Sequence, residues 1–345
     1  MQLILDTKDL KLLRKRGSFL VEPPEGKGKA RLISAKKLSS IAVTASVLIS
    51  SDAVRLAIQE EVPILFFDRI GKAEARLWSP YFGSIATLRR QQVRFAETPE
   101  ATRWIIQLYQ RKAEEQVRNL RYLATQQKDL AEALDRAVQA IERQARRLKR
   151  YENQPLAEVR NPLMGNEGTA ARQYWQAVAS ALPPEFQFAK RSRRPAEDLF
   201  NAGLNYLYGM LYSVVESGLF AAGLDPHLGL LHADEYRKPV LAFDLIEPFR
   251  PWVDRLLIDE CLIHTLESSY ATANQYGLFL NKKGKAYVIP LFNQWLRSIR
   301  RHAGRETTVR NHIYTLAVKL AQRVRTFEAS DAPAADDPDE YGDLE

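Results

Sequence analysis

The chain predicts an α+β fold, with an N-terminal β-sandwich-like domain followed by a larger all-α catalytic domain. Three observations predict it. Short β-prone runs separated by turn signals fill the first 80 or so residues. From Thr98 onward, apolar residues recur instead at three- and four-residue spacings. Between the two patterns lies Pro80-Tyr81-Phe82-Gly83-Ser84, a natural break. The predicted divisions are residues 1–84 (β-rich), 85–327 (helical, catalytic) and 328–345, an acidic tail whose composition predicts disorder.

Gln2-Leu3-Ile4-Leu5 reads as the first strand. Ser18-Phe19-Leu20-Val21 and Ala30-Arg31-Leu32-Ile33 flank Pro23-Pro24-Glu25-Gly26-Lys27-Gly28, the loop of a hairpin. Ile41-Ala42-Val43 is a further short strand. Asp52 is placed to cap a helix running to Glu60, with Val54, Ala57 and Ile58 on one face. Pro63 to Phe67 reads as a buried strand ended by Asp68-Arg69-Ile70-Gly71, and Ala73 to Trp78 completes the sheet. Thr98-Pro99-Glu100 opens a helix, with a capping hydroxyl and proline in the first helical position. Leu130, Leu134, Val138, Ile141, Ala145 and Leu148 trace an amphipathic helix with an arginine-rich outer face. A further helix is expected to begin near Asn166, and a long one to span roughly Ala196 to Ala222. Leu230 to Asp244 reads as a short hairpin centred on 234–238. Helix resumes after it, with Pro248 tolerated in the first turn.

Of 345 residues, 46% are hydrophobic and 27% charged, the balance of a globular chain. No apolar run approaches the ~18 residues of a membrane span, and no secretory signal opens the chain. Cys261 is the single cysteine, which excludes an internal disulfide and a thiolate-rich zinc site. A cytoplasmic setting is expected. Residues 328–345 hold eight acidic residues and no basic ones, so residues 1–327 carry 50 basic against 34 acidic residues, a net +16. Such a body favours a polyanion, above all nucleic acid, through phosphate neutralisation.

Three ionisable residues stand out. Glu167 shares a helical face with Ala170, Ala171 and Tyr174; His232 ends the run Gly229-Leu230-Leu231; Glu247 lies three residues after Asp244, beyond Val240-Leu241-Ala242-Phe243. A carboxylate in apolar surroundings needs a partner, a hydrogen bond or a metal. Two oxygens and an imidazole nitrogen suit Mg²⁺ or Mn²⁺. The same residues also admit structural roles: His232 as a satisfied core histidine, and Glu167 and Glu247 in first turns of helices. His227, His264, His302 and His312 carry no such pattern. H-E-x-x-H, Walker and G-x-G-x-x-G motifs are absent, so metalloprotease, nucleotide-hydrolase and dinucleotide readings have no support. Lys190-Arg191-Ser192-Arg193-Arg194-Pro195, just before a helix, reads either as a phosphate clamp or as an exposed loop.

Four ordered blocks carry a family likeness: Gly165-Asn166-Glu167-Gly168 with Arg172-Gln173-Tyr174-Trp175; Arg193 to Asp198 with Asn201 to Tyr206; Gly229-Leu230-Leu231-His232; and Phe243 to Glu247 with Phe249-Arg250-Pro251 and Val253-Asp254. Ile64 to Arg69 and Arg89 to Gln92 add weaker matches. In this the chain resembles the CRISPR-associated spacer-acquisition endonuclease/integrase family. The resemblance implies insertion of short DNA duplexes into a CRISPR array by 3′-hydroxyl attack on the repeat. It implies metal ligation and catalysis by Glu167, His232 and Glu247, with Asp244 a possible fourth carboxylate. Lys190, Arg191, Arg193, Arg194 and Asn201 would lie along the DNA. The implied partners are double-stranded DNA (spacer precursor and repeat), a second copy of the chain paired through the β-rich domain, and a small ferredoxin-like adaptation protein. A reverse transcriptase is an optional further partner. Pro248 stands where many members carry a second acidic residue, and the acidic tail has no family counterpart. Two other readings stay open beside this one: a structure-specific nuclease acting on branched DNA, and a non-catalytic basic DNA-binding scaffold.

Overall fold

The N-terminal strands gather around a shared apolar cluster in the computed structural model. It describes residues 2–25, 28–38, 40–60, 62, 64–67, 73–77, 85–193, 195–232, 238–275 and 277–327. In order come β1 (Gln2–Leu5), β2 (Lys11–Lys15), β3 (Ser18–Glu22), β4 (Arg31–Ser34), β5 (Ser40–Val43), β6 (Leu48–Ile49), helix α1 (Ser51–Gln59), β7 (Ile64–Phe67) and β8 (Ala73–Arg76). They form two four-stranded sheets, β1-β5-β7-β8 and β4-β3-β2-β6. Leu5, Ile41 and Ile64 of the first sheet share one buried cluster with Leu12 and Phe19 of the second and with Ala53, Leu56 and Ala57 of α1. Two sheets over one core make the expected sandwich-like arrangement.

Strand β2 is one of the elements that sequence patterning does not mark. Lys11-Leu-Leu-Arg-Lys buries only Leu12 fully, so its alternation is one residue deep. The link to β3 supplies the missing signal. Arg16 and Gly17 both take positive φ, 49° and 72°, as the two-residue turn of a tight hairpin requires. Ser50, not Asp52, caps α1: its hydroxyl accepts from the Ala53 N–H at 3.2 Å, and Asp52 sits in the first turn. The expected turn at Asp68–Gly71, Trp78, the break at 80–84, the centre of the hairpin expected at 234–238 and the tail at 328–345 lie wholly or mostly outside the described residues.

The remainder is helical. α2 (Ile85–Ala96), α3 (Pro99–Gln126), α4 (Ala131–Arg147), α5 (Leu156–Ala181) and α6 (Leu199–Ala221) are followed by α7 (Val240–Leu245), α8 (Arg250–Leu262), α9 (Lys282–Arg297) and α10 (Val309–Thr326). Two short hairpins, β9 (Ala271–Asn274) with β10 (Gly277–Leu280) and β11 (Ile299–His302) with β12 (Arg305–Thr308), interrupt it, so this part is mainly rather than wholly α. No helix among the described residues is long and apolar enough to cross a membrane. α3 spans 28 residues, roughly 42 Å. α4 and α5 pack against it. Pro99 opens α3 as expected, but the Thr98 hydroxyl does not cap it and instead donates to the Phe95 carbonyl at 2.7 Å.

Two elements differ from expectation. α5 begins at Leu156, ten residues before Asn166, because Leu156, Val159 and Leu163 continue the buried stripe through Pro162. The Pro162 carbonyl accepts from the Asn166 side-chain amide at 2.7 Å. Glu167 therefore lies in mid-helix rather than in a first turn. The second half of the expected Leu230–Asp244 hairpin is the short helix α7. Its Asp244 carboxylate takes up the Leu230 and Leu231 N–H groups at 2.8 and 3.1 Å, satisfying donors that a strand would have given to a neighbour.

A buried acid lies between α6 and α8. Asp254 is 1% exposed and accepts the Tyr208 hydroxyl at 2.6 Å. Burial pushes its pKa up to about 7, against the pull of the Tyr208 and Tyr174 hydroxyls. The folded state thus favours the protonated acid. Stability is fullest below the ordinary aspartate pKa and declines as pH rises from about 4 to about 7. Asp254→Asn is expected to remove that decline, on the order of a few kcal/mol. Urea titrations at pH 5 and pH 8 check it, and an unchanged pH difference in the variant would contradict the assignment. A second expectation concerns Gly277, whose φ is +117° and whose added Cβ would overlap Pro195. Gly277→Ala should cost roughly 1–3 kcal/mol, read as a lower thermal midpoint.

Candidate active site

The apolar seam of α3 runs through Ile105, Tyr109, Lys112, Gln116, Asn119 and Leu123, all buried. Its 4-3-4-3-4 spacing is that of a helix face turned to its neighbours. Lys, Gln and Asn at three consecutive seam positions are the anomaly, and Lys112 explains itself by its partners. Its ammonium donates to Glu167 Oε1 of α5 and, at 2.6 Å, to Glu247 Oε2 in the 3₁₀ turn Glu247–Phe249. Glu247 Oε1 meets Arg250 Nη1 at 2.7 Å. Two carboxylates and two cations close a neutral network, which is what permits this much charge to be buried.

The electrostatics follow the pairing. Burial pushes the Glu247 carboxyl up, but Arg250 and Lys112 outweigh it and its pKa is lowered. Burial works against the Lys112 charge, and Glu167 and Glu247 more than restore it, so its pKa is raised. The Tyr109 hydroxyl is raised well above its ordinary value by burial and by Glu247, Glu167 and Asp244.

His232 reaches the same centre from the Gly229–His232 turn. Gly229 is required there, because an added Cβ would collide with the His232 carbonyl. Upstream, the Gln92 side chain of α2 pins the turn by donating to the Asp225 and Leu228 carbonyls at 2.8 and 3.0 Å. Asp244 then holds the imidazole, its Oδ1 2.6 Å from Nδ1. That carboxylate already accepts from three backbone N–H groups, those of Leu230, Leu231 and His232. Nδ1 is therefore the donor, and Nε2 is the nitrogen left for a ligand or a proton. Burial lowers the His232 pKa, but the Asp244 hydrogen bond and charge and the Glu247 charge raise it overall.

Glu167 and Glu247 are thus brought together on one ammonium, His232 lies within electrostatic range of Glu247, and Asp244 is committed to orienting His232. Among the described residues no three His, Cys, Asp or Glu side chains close a ligand cage. The position between the two glutamates is held by Lys112. The donor chemistry still fits a divalent cation: two carboxylate oxygens already sharing one positive group, and an imidazole whose free nitrogen is set by a carboxylate behind it.

The basic segment divides. Arg191 is not a free phosphate contact: it donates to the Asn201 and Asn205 side chains at 2.8 and 2.7 Å and lies over the Trp175 and Tyr208 rings. Asn201, expected along the DNA, is fully buried. Its side chain accepts from Arg191 and the Ser192 N–H and donates to Lys190 O and Asp198, shaping the segment from within. Lys190 is exposed and 3.2 Å from Glu197. Arg193 is exposed, and Arg194 lies outside the described residues. Arg250 lies over the Tyr208 and Tyr212 rings, so the stack Arg191–Tyr208–Arg250 links this segment to Glu247. Of the other histidines, His302 and His312 pack on Trp252, with ring centroids 5.0 and 5.8 Å away.

Lys112 and the role of Arg250 were not legible from local pattern. The available signal was the polar run 112, 116, 119 along an otherwise apolar seam.

Comparison with known proteins gives the family. The family model described as CRISPR associated protein Cas1 matches residues 3–294. A CRISPR-associated endonuclease Cas1 from Hyperthermus butylicus is 30% identical over 94% of this chain and 95% of its own. One from Archaeoglobus fulgidus is 33% identical over 67% of this chain and 70% of its own. Among solved structures, a partial Cas6-RT-Cas1–Cas2 complex has a TM-score of 0.72 at 21% identity, covering 96% of this chain and 97% of the other. A casposase bound to integration product has a TM-score of 0.67 at 21% identity, covering 94% and 95%. These two likenesses establish a shared fold. With its family model spanning most of the sequence and near full-length relatives at this identity, the chain belongs to the Cas1 family of CRISPR-associated proteins.

Proposed function

We propose that this protein is a metal-dependent DNA endonuclease and integrase that inserts short duplexes into a CRISPR array. The observation that carries the reading is the convergence of Glu167 and Glu247 on a single buried cation, beside a His232 oriented by Asp244, in a chain of the Cas1 family. Glu167, His232 and Glu247 would hold Mg²⁺ or Mn²⁺. Such an ion, when bound, supplies Lewis-acid polarisation of a phosphodiester and activation of the attacking water or DNA 3′-hydroxyl.

The protein's own groups prepare that chemistry. Asp244 fixes the tautomer and orientation of His232, leaving Nε2 for a ligand or a proton. Arg250 anchors one oxygen of Glu247, so the other faces Glu167 across Lys112. Asn201 and Arg191 brace the segment that presents Lys190 and Arg193 to phosphates. This supports duplex binding by the surface and strand positioning by the segment. We further propose the domain roles: residues 1–84 pair two copies of the chain, and 85–327 perform the chemistry. The structural likeness to Cas6-RT-Cas1–Cas2 complexes makes a small Cas2-type partner, and a reverse transcriptase, the candidate companions.

Glu167→Ala, His232→Ala and Glu247→Ala are each expected to reduce strand transfer to background while leaving duplex affinity near wild type. Asp244→Asn, which acts through His232, should reduce it by about 10–100-fold. The assay joins a labelled duplex to a repeat-bearing supercoiled plasmid, with Mn²⁺ or EDTA, in the presence of the partner, and includes a 3′-dideoxy duplex. Joining without a 3′-hydroxyl, or full activity in any of the three alanine variants, would refute the reading. Arg193→Ala should weaken duplex binding uniformly and lower the salt slope by about one. Arg191→Ala should instead lower thermal stability, because its partners are Asn201 and Asn205.

A further inference from the structure

We propose that Lys112 is the resident counter-ion of the Glu167–Glu247 pair, and that a divalent cation enters this centre by displacing its ammonium. The inference rests on Glu167 and Glu247 being the ligands. Three features of the site lead to it. First, the oxygens are committed: Glu247 Oε1 to Arg250 at 2.7 Å, Glu247 Oε2 to Lys112 at 2.6 Å, and Glu167 Oε1 to the same ammonium. A divalent cation on Glu167 Oε1 and Glu247 Oε2 competes with the ammonium held by the same two oxygens, because two positive centres at contact range repel each other. Second, without Lys112 the metal-free protein would hold two facing carboxylates, one of them 4% exposed, and would lose the cation that both of them contact. The lysine therefore keeps the centre folded when no metal is bound.

Third, the displaced ammonium has somewhere to go. A small cleft beside the Lys112–Glu167 pair is lined by Gln116, Gln144 and Asn166. The Asn166 amide nitrogen donates to the Pro162 carbonyl, which leaves its side-chain oxygen as an acceptor. Gln116 and Gln144 are polar side chains in its lining. Lysine's four-carbon stem lets the ammonium turn into this cleft without moving α3. Lys112 is accordingly a positioning residue that sets how readily the centre loads, not a group that touches the reacting atoms.

Mn²⁺ titration of the full chain without DNA, by calorimetry and by electron paramagnetic resonance, tests this. Lys112→Met, nearly isosteric and uncharged, is expected to bind Mn²⁺ about tenfold or more tightly than wild type and to melt at lower temperature in EDTA. Unchanged or weaker Mn²⁺ binding in that variant overturns the proposal, since a merely structural lysine would give exactly that. Lys112→Arg, whose fork can hold both carboxylates at once, should fold and bind Mn²⁺ more weakly. If Lys112→Met fails to fold, wild-type affinity in Lys112→Arg overturns the proposal on its own. Glu167→Gln separates the two levels. It should lose Mn²⁺ binding, and if it binds as wild type does, the ligand assignment fails whatever Lys112 shows.

Discussion

Two glutamates from distant parts of the chain share one buried ammonium, and much of the helical architecture exists to make that permissible. Charges removed from water are costly unless each finds an opposite partner at hydrogen-bonding distance. Glu167, Lys112, Glu247 and Arg250 pair in a chain of alternating charge. The alternation holds only if α3, α5 and the turn into α8 stand in one relative placement, so the charge network and the helix packing specify each other.

α3 is the member on which this placement turns. Its polar seam continues beyond Lys112: Asn119 donates to the Tyr174 hydroxyl at 2.9 Å and to the Pro251 carbonyl at 2.7 Å, joining α5 and α8 to the same helix. From another face Glu115, 2% exposed, pairs with Arg300 at 3.1 Å and His302 at 3.4 Å in β11. Arg300 in turn lies 4.2 Å over the Trp252 ring. A helix that buries Lys, Glu, Gln and Asn together is weakly driven by apolar burial at those positions. What it gains is direction, because each polar side chain accepts only the partner placed for it.

The basic segment shows the same economy of means. It was expected to present a row of cations and an asparagine to DNA. Instead Asn201 and Arg191 turn inward, using the guanidinium's planar fork on two amides and its face on two aromatic rings. The exposed Arg193 and Lys190 are the outward remainder. A run of like charges in sequence thus divides into a brace and a contact surface, and burial is what divides it.

Periodicity determined the two-part α+β plan, the amphipathic course of α4 and the strands at Gln2, Ser18, Ile41 and Ile64. Each is a local property, legible because neighbours a few residues apart share a face. Ordered family blocks also singled out Glu167, His232, Asp244 and Glu247. Strand β2, with its single fully buried leucine, and the start of α5, where buried leucines run through a proline, escaped that reading. Only the tertiary structure decided that Lys112 would lie between Glu167 and Glu247, 55 and 135 residues away along the chain. It alone decided that Asp244 would gather the N–H groups of the turn carrying His232, and that Asn201 would be buried. These pairings depend on where whole helices come to rest, and helix packing is set by the summed shape of many side chains, which no local window of sequence contains.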